Sequence, residues 1–165
     1  MACFTNDLIG IHINLSGRFE IHELEFLSEK LFPKLNHRRS CLDIGANIGN
    51  HAVFFADYFD SVEAFEVNPF TFKLLAINAE LNPAIHPHNI GVSDSKGELV
   101  GKGSLRNMAS FSLEPGWTGD VSQTLTVNVD RLDNLLSEKK MAEVDFIKMD
   151  IEGHELAALR EQATC

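Results

Sequence analysis

Cysteine is scarce in these 165 residues, with three in all: Cys3, Cys41 and Cys165. The count is odd and the spacing wide, so no disulfide framework or zinc-binding spacing can be drawn from them. A reducing, cytoplasmic setting is the expected one. Basic residues are also few: Lys plus Arg is 14 against 24 for Asp plus Glu, a formal net charge of −10. Such a chain repels phosphate backbones, which argues against nucleic acid as a partner. No apolar run approaches the ~18 residues that span a bilayer. The stretch from Met1 to Ile13 has no basic leader and no small-residue cleavage site, so no secretory signal is expected. Repeats and low-complexity tracts are missing too. What remains is 44% hydrophobic and 23% charged residues, enough for one domain over 1–165 with a core of its own.

The order of periodic segments points to an α/β fold of the Rossmann-like kind, mainly parallel with helices on both faces. A lead-in over 1–39 carries a helix from Ile21 to Phe32, closed by Pro33. The core over 40–165 opens with a buried strand, Cys41 to Ile44, and a helix-length segment from Gly49 to Phe59. A second strand follows over Ser61 to Val67, then a helix over Phe70 to Leu81 started by Pro69. A third strand is expected over His86 to Val92. Next comes a β-rich excursion with strands over Glu98–Gly101, Met108–Leu113 and Thr124–Val129. Asp130 reads as the N-cap of a short helix reaching Leu136. An apolar strand over Val144–Met149 and a helix over Glu155–Glu161 close the pattern.

In such sheets ligands sit outside the carboxyl ends of the strands, which directs attention to the residues just after them. The first group is Asp43-Ile44-Gly45-Ala46-Asn47-Ile48-Gly49-Asn50-His51, a strand entering a glycine turn and a helix. Glycines let the backbone turn tightly and approach a ligand. The dinucleotide fingerprint fails at Asn47, and Asp43 is awkward beside a pyrophosphate but suits an amino group or sulfonium. The bland alternative is an ordinary strand–helix turn. The second group is Glu66-Val67-Asn68, with an acid ~20 residues on, where the carboxylate can accept from both hydroxyls of a ribose. Taken alone, Glu66 reads more commonly as a solvated strand-end acid. The third is Lys148-Met149-Asp150-Ile151-Glu152-Gly153-His154-Glu155, where crowded carboxylates could supply a base, bind a metal or simply cap a helix. His154 reads as a solvated helix-start residue more readily than as a base. Ser93 and Asp94 form a turn that could meet a bound base. His86 and His88 could share a strand face but lack a third metal ligand. Trp117 is either a lid residue or a loop anchor.

Four ordered segments, CLDIGANIGNHAVFFA, VEAFEVNP, NIGVSDSKG and FIKMDIEGHE, resemble the FkbM family of S-adenosylmethionine-dependent methyltransferases. The resemblance implies a class I methyltransferase fold and transfer of a methyl group to a hydroxyl of a sugar or natural product. It implies S-adenosyl-L-methionine as cofactor, with Asp43, Gly45, Ala46, Asn47, Gly49 and Asn50 at its methionine end. Glu66, Val67 and Asn68 would take the ribose, and Ser93 and Asp94 the adenine side. Asp150 and Glu152 would face the methyl group and the acceptor, Asp150 being the first choice of base. No metal is implied. The family's sheet has three more strands after the helix that begins at Gly153, and the sequence stops at Cys165 without them. An incomplete core and an exposed apolar edge at Val144–Met149 are therefore expected, inviting self-association. Two other readings stand beside the first. One is a catalytically inactive methyltransferase-like domain; the other is an NAD-dependent oxidoreductase, disfavoured by Asp43 and Asn47.

Overall fold

A computed structural model describes residues 1–5, 7–104, 107 and 110–160. The start of the expected strand at Met108, the last residue of the expected helix at Glu161, and Cys165 lie outside the described residues. Four parallel strands form the central sheet: β1 (Ser40–Ile44), β2 (Ser61–Phe65), β3 (Ile85–His88) and β8 (Val144–Met149), in the order β3-β2-β1-β8. Every residue of β1 is buried, as a parallel strand covered on both faces must be. Alternate residues face opposite layers. Cys41, Val62 and Ala64 point toward α2 (Ile21–Phe26), α3 (Asn50–Phe55) and α4 (Pro69–Ala79). Leu42, Ile44 and Phe65 meet α5 (Leu132–Leu135) and α7 (Glu155–Leu159) on the other side.

The excursion forms a sheet of its own. Here β4 (Gly91–Val92), β7 (Gln123–Asp130), β5 (Gly97–Gly103) and β6 (Phe111–Ser112) lie in the order β4-β7-β5-β6. Only the β4–β7 pair is parallel. The sequence reading of one strand over His86 to Val92 is thus corrected to two strands in two sheets. The chain breaks at Asn89, whose Nδ2 donates to the carbonyls of Glu66 (2.8 Å) and Val67 (3.3 Å). That bond turns the backbone away from β2 and into the second sheet.

Three other expectations need correction. The helix read over Ile21–Phe32 changes pitch: α2 runs into a π turn over Leu27–Leu31 and a 3-10 turn over Phe32–Lys34 that contains Pro33. Eight residues of regular helix overshoot the starting face by about 80°. The wider π turn removes much of that and brings Phe32 into the same core as Leu24. Asp130 ends β7 rather than capping a helix; Arg131 holds that place, and Asp130 accepts from the Arg131 N–H and from Asn134 Nδ2. A helix absent from the sequence reading, α1 (Leu8–Ser16), starts at Asp7, which accepts from the Gly10 N–H, and stops at left-handed Gly17. A further short helix, α6 (Glu138–Met141), precedes β8.

Phenylalanine dominates the core: the sequence has 12, against one Trp and one Tyr. Phe32 is the hub, with ring contacts to Phe55, Tyr58, Phe59 and Phe146 at 5.1–6.0 Å. These rings weld the lead-in to α3 and β8, and only Tyr58 among them carries a polar atom. At the sheet edge, β8 bulges at Asp145, which accepts from the backbone N–H, Nε and Nη2 of Arg39. A bulge and an edge charge blunt the exposed edge expected from the sequence. No helix among the described residues is long and apolar enough to cross a membrane.

The ends of β1 and β8 meet at Gly45. Its φ is +80°, and a Cβ there would stand 1.8 Å from the Asp150 carbonyl oxygen. We expect Gly45→Ala to destabilise the fold by at least about 2 kcal/mol, through left-handed strain and this backbone clash. Phe32→Ala should cost about 3–5 kcal/mol, as a large buried aromatic does. Phe70→Ala, at a half-exposed position, should cost less than about 1 kcal/mol. Urea unfolding midpoints of the three variants test this ranking.

Candidate active site

A cleft of about 270 Å³ opens at the carboxyl ends of β1, β2 and β8. Its floor is built from backbone turns that the sequence makes possible. Gly45, Asn47 and Gly49 all have left-handed φ values, of 80°, 53° and 89°. Asn47 tolerates this because its own Oδ1 accepts from the Ile48 N–H at 2.8 Å. The Gly45 and Ala46 N–H groups both donate to the Phe65 carbonyl, at 3.0 and 2.9 Å, which locks the turn to the end of β2.

Glu66 holds that junction from below. Its Oε2 accepts from the Asn47 N–H at 2.8 Å and its Oε1 from the Asn68 N–H at 2.7 Å. It is not a solvated strand-end acid: only 7% of it is exposed. Burial pushes its carboxyl up to about 7, against the two backbone hydrogen bonds and Lys148 that pull it down. Each oxygen has spent one acceptor site and keeps another. Two neighbouring hydroxyls fit what is left.

Asp43 is fully buried, and neither of its oxygens has a hydrogen-bond partner among the described residues. Its compensation is ionic: Lys148 Nζ, directly across on β8, stands 3.1 Å from Oδ1. The same ammonium donates to the Gly45 carbonyl at 2.8 Å. Lys148 therefore lies between Asp43 and the cleft and supplies the wall that Asp43 itself does not.

The opposite wall is the Asp150–Gly153 turn. Glu155 Oε1 ties it by accepting from the Ile151 and Gly153 N–H groups. Glu152 takes φ +54°, and its carbonyl accepts from Ser112 Oγ at 2.8 Å. Asp150 and Glu152 are exposed at the rim, and burial followed by repulsion from Asp150 and Glu155 raises the Glu152 carboxyl. His154 corrects both sequence readings, since it is neither solvated nor at the cleft. It is buried, with Nε2 3.0 Å from Ser93 Oγ and Nδ1 3.0 Å from Glu114 Oε1. The connectivity is that of a Ser-His-acid relay, but Ser93 is 2% exposed and open to no substrate. The three residues brace the second sheet against the rim turn.

Of the residues singled out from sequence, Gly45, Ala46, Asn47, Asn50, Glu66, Val67, Asp150 and Glu152 line the cleft together. Asp43, Gly49, Asn68, Ser93 and Asp94 stand outside its wall. Gly49 starts α3, Asn68 caps α4 by accepting from the Phe70 N–H, and Asp94 accepts from Ser95 Oγ within its turn. Asn50 lines the cleft, yet its amide is exchanged with the Phe19 backbone, Nδ2 to O at 3.0 Å and N to Oδ1 at 3.1 Å. That pair draws Phe19 and Glu20 over the cleft. Glu20, His51, Lys148, Phe111 and the Ile90–Val92 segment line it as well and received no role from sequence. Nothing local distinguishes Glu20, which arrives from the lead-in. His51 and Lys148 sit inside the two motifs, where their inward direction could have been read from strand and helix period.

His88 is no metal ligand. Its Nε2 meets buried Glu63 at 2.7 Å, and its ring stacks on Phe65. Burial raises the Glu63 carboxyl, but hydrogen bonds from His88 and Lys140 hold it down to about 2. Among the described residues no group of three His, Cys, Asp or Glu side chains could hold a metal ion. Trp117 is a loop anchor: it covers Gly119, where a Cβ would stand 2.1 Å from the indole.

Comparison with known proteins agrees with this geometry. Residues 43–164 match the methyltransferase FkbM domain family. A curated relative, hexuronic acid methyltransferase AglP of Haloferax volcanii, is 32% identical over 124 residues, covering 72% of this chain and 47% of the relative. The chain spans about half the length of the curated relative it matches. Among solved structures, a methyltransferase FkbM from Methylobacillus flagellatus aligns with TM-score 0.48 at 21% identity, over 84% of this chain and 35% of its own. An S-adenosylmethionine-dependent methyltransferase from Listeria monocytogenes, so described without functional proof, aligns with TM-score 0.35 at 17% identity, over 45% and 35%. The α/β architecture, the strand-end cleft and the match across most of the chain lead to one conclusion: the chain belongs to the FkbM family of methyltransferases.

Proposed function

We propose that the cleft binds S-adenosyl-L-methionine and that the chain serves O-methylation of a sugar-like hydroxyl compound. The observation that carries this reading is Glu66, a buried carboxylate at the end of β2 with one acceptor site left on each oxygen. That arrangement suits the paired hydroxyls of a ribose. The glycine turn over Gly45–Gly49 leaves room for the rest of a nucleoside ligand, with Val67 and Ile90 as apolar cover. Asp43 and Lys148 fix the charge behind the methionine end, and Asp150 and Glu152 at the rim orient the acceptor. When bound, the cofactor supplies a methyl group on a sulfonium leaving group. The protein's part is then to place an acceptor oxygen in line and to exclude competing geometries. The sugar class rests on the relative that carries the name of a hexuronic acid methyltransferase.

Titration calorimetry with S-adenosylhomocysteine, with NAD as control, tests the cofactor. Binding of the first alone is expected. Glu66→Ala should weaken it about 10²-fold, the worth of two hydrogen bonds to a charged acceptor at ~1.5 kcal/mol each. The sign of the pH dependence follows from Glu66. Its carboxyl titrates at about 7 when the cleft is free, and hydroxyl donors favour the ionised form. Binding therefore releases a proton, and affinity rises about tenfold between roughly pH 6 and pH 8 before levelling. Equal binding of NAD, or affinity that falls over this range, would refute the assignment.

A further inference from the structure

Four side chains line both the cleft and a shallower recess beside it: Glu20, His51, Lys148 and Asp150. If the cleft holds the methyl donor as proposed above, an acceptor in the recess would meet it at that boundary. The proton released by a hydroxyl acceptor has to leave there. The four differ in what they can do with it. The Lys148 ammonium is committed to Asp43 and to the Gly45 carbonyl. Asp150 is an exposed rim carboxylate, open to solvent rather than enclosed against the acceptor. His51 is enclosed, its side chain 13% exposed, and an imidazole is the base best matched to neutral pH. Glu20 stands 3.3 Å from its Nε2 and is held in a left-handed conformation at φ 53°, unusual for a glutamate.

We propose that His51 takes the hydroxyl proton of the methyl acceptor, and that Glu20 is the positioning residue that steadies the imidazolium. This deepens the reading of the cleft above and rests on it. As the acceptor oxygen bonds to the methyl carbon, the carbon–sulfur bond breaks with its electron pair left on sulfur. The hydroxyl proton passes to His51 Nδ1 while Nε2–H stays toward the Glu20 carboxylate, so the positive charge lost at sulfur reappears on the imidazole beside that carboxylate. The charged groups facing His51 are Glu20 and Glu23 from the lead-in, Asp43 from β1, and Lys148 and Asp150 from β8 and its end. Burial lowers the imidazole pKa, and Lys148 adds to this against the pull of Asp43, Asp150 and Glu23. The ring is thus neutral and basic at pH 7.

The test uses the full chain, His51→Gln and Glu20→Gln, with glucuronic acid as the acceptor probe. His51→Gln should lower kcat about 10²-fold or more and abolish its rise with pH. A second arm needs no acceptor. The C2–H proton resonance of His51, assigned by its loss in His51→Gln, should titrate below the ordinary value of about 6.5 and lower still in Glu20→Gln. Wild-type kcat in His51→Gln, or a His51 that keeps its proton above about pH 7, overturns the proposal. If glucuronic acid is not methylated, the resonance arm decides alone. Failure of the wild-type chain to bind S-adenosylhomocysteine overturns the reading of the cleft instead.

Discussion

The ends of β1 and β8 approach each other more closely than side chains permit, and the architecture of the cleft follows from that contact. Gly45 has no Cβ to meet the Asp150 carbonyl, and its left-handed backbone sends the chain sideways rather than onward. Its N–H and that of Ala46 then both reach Phe65. With three strand ends fastened at one point, the loops that follow them have no choice but to face one another. The cleft is what lies between those loops.

Electrostatics within this frame is an exercise in compensating buried acids. Glu63 is held ionised by hydrogen bonds from His88 and Lys140. Asp43 has one cationic partner, Lys148, and no hydrogen bond. Glu66 has two backbone N–H groups and, among the described residues, no direct ion pair, and burial wins over them. The three lie on neighbouring strands, yet they differ in how much of their charge is answered inside the fold. Of these three buried acids only Glu66 lines the cleft, so it is the one that donors brought by a ligand can reach.

The lead-in and the excursion contribute by a different route. Neither carries a motif, yet both supply walls. Asn50 pulls in Phe19 and Glu20 by a reciprocal amide–backbone pair, and the Ser93-His154-Glu114 brace ties the second sheet to the rim turn. Both ties span more than 30 residues of sequence. They make the rim and the floor parts of one rigid surface.

The sequence by itself determined the strands β1, β2 and β8, the glycine turn, Glu66 and the family. Short-range periodicity and the backbone demands of glycine are local quantities, and a local reading recovers them. It also determined that Pro69 would open α4 and that Gly45 had to approach something closely. Only the tertiary structure decided what Gly45 approaches, that His86–Val92 divides between two sheets, and that His154 turns inward. It alone put Lys148 in front of Asp43, and Glu20 and His51 together at the cleft. Each of these depends on a partner far away in sequence, through desolvation or a hydrogen bond that exists only once the layers have packed. Periodicity cannot see such a partner, because burial and pairing are properties of the assembled core and not of any segment within it.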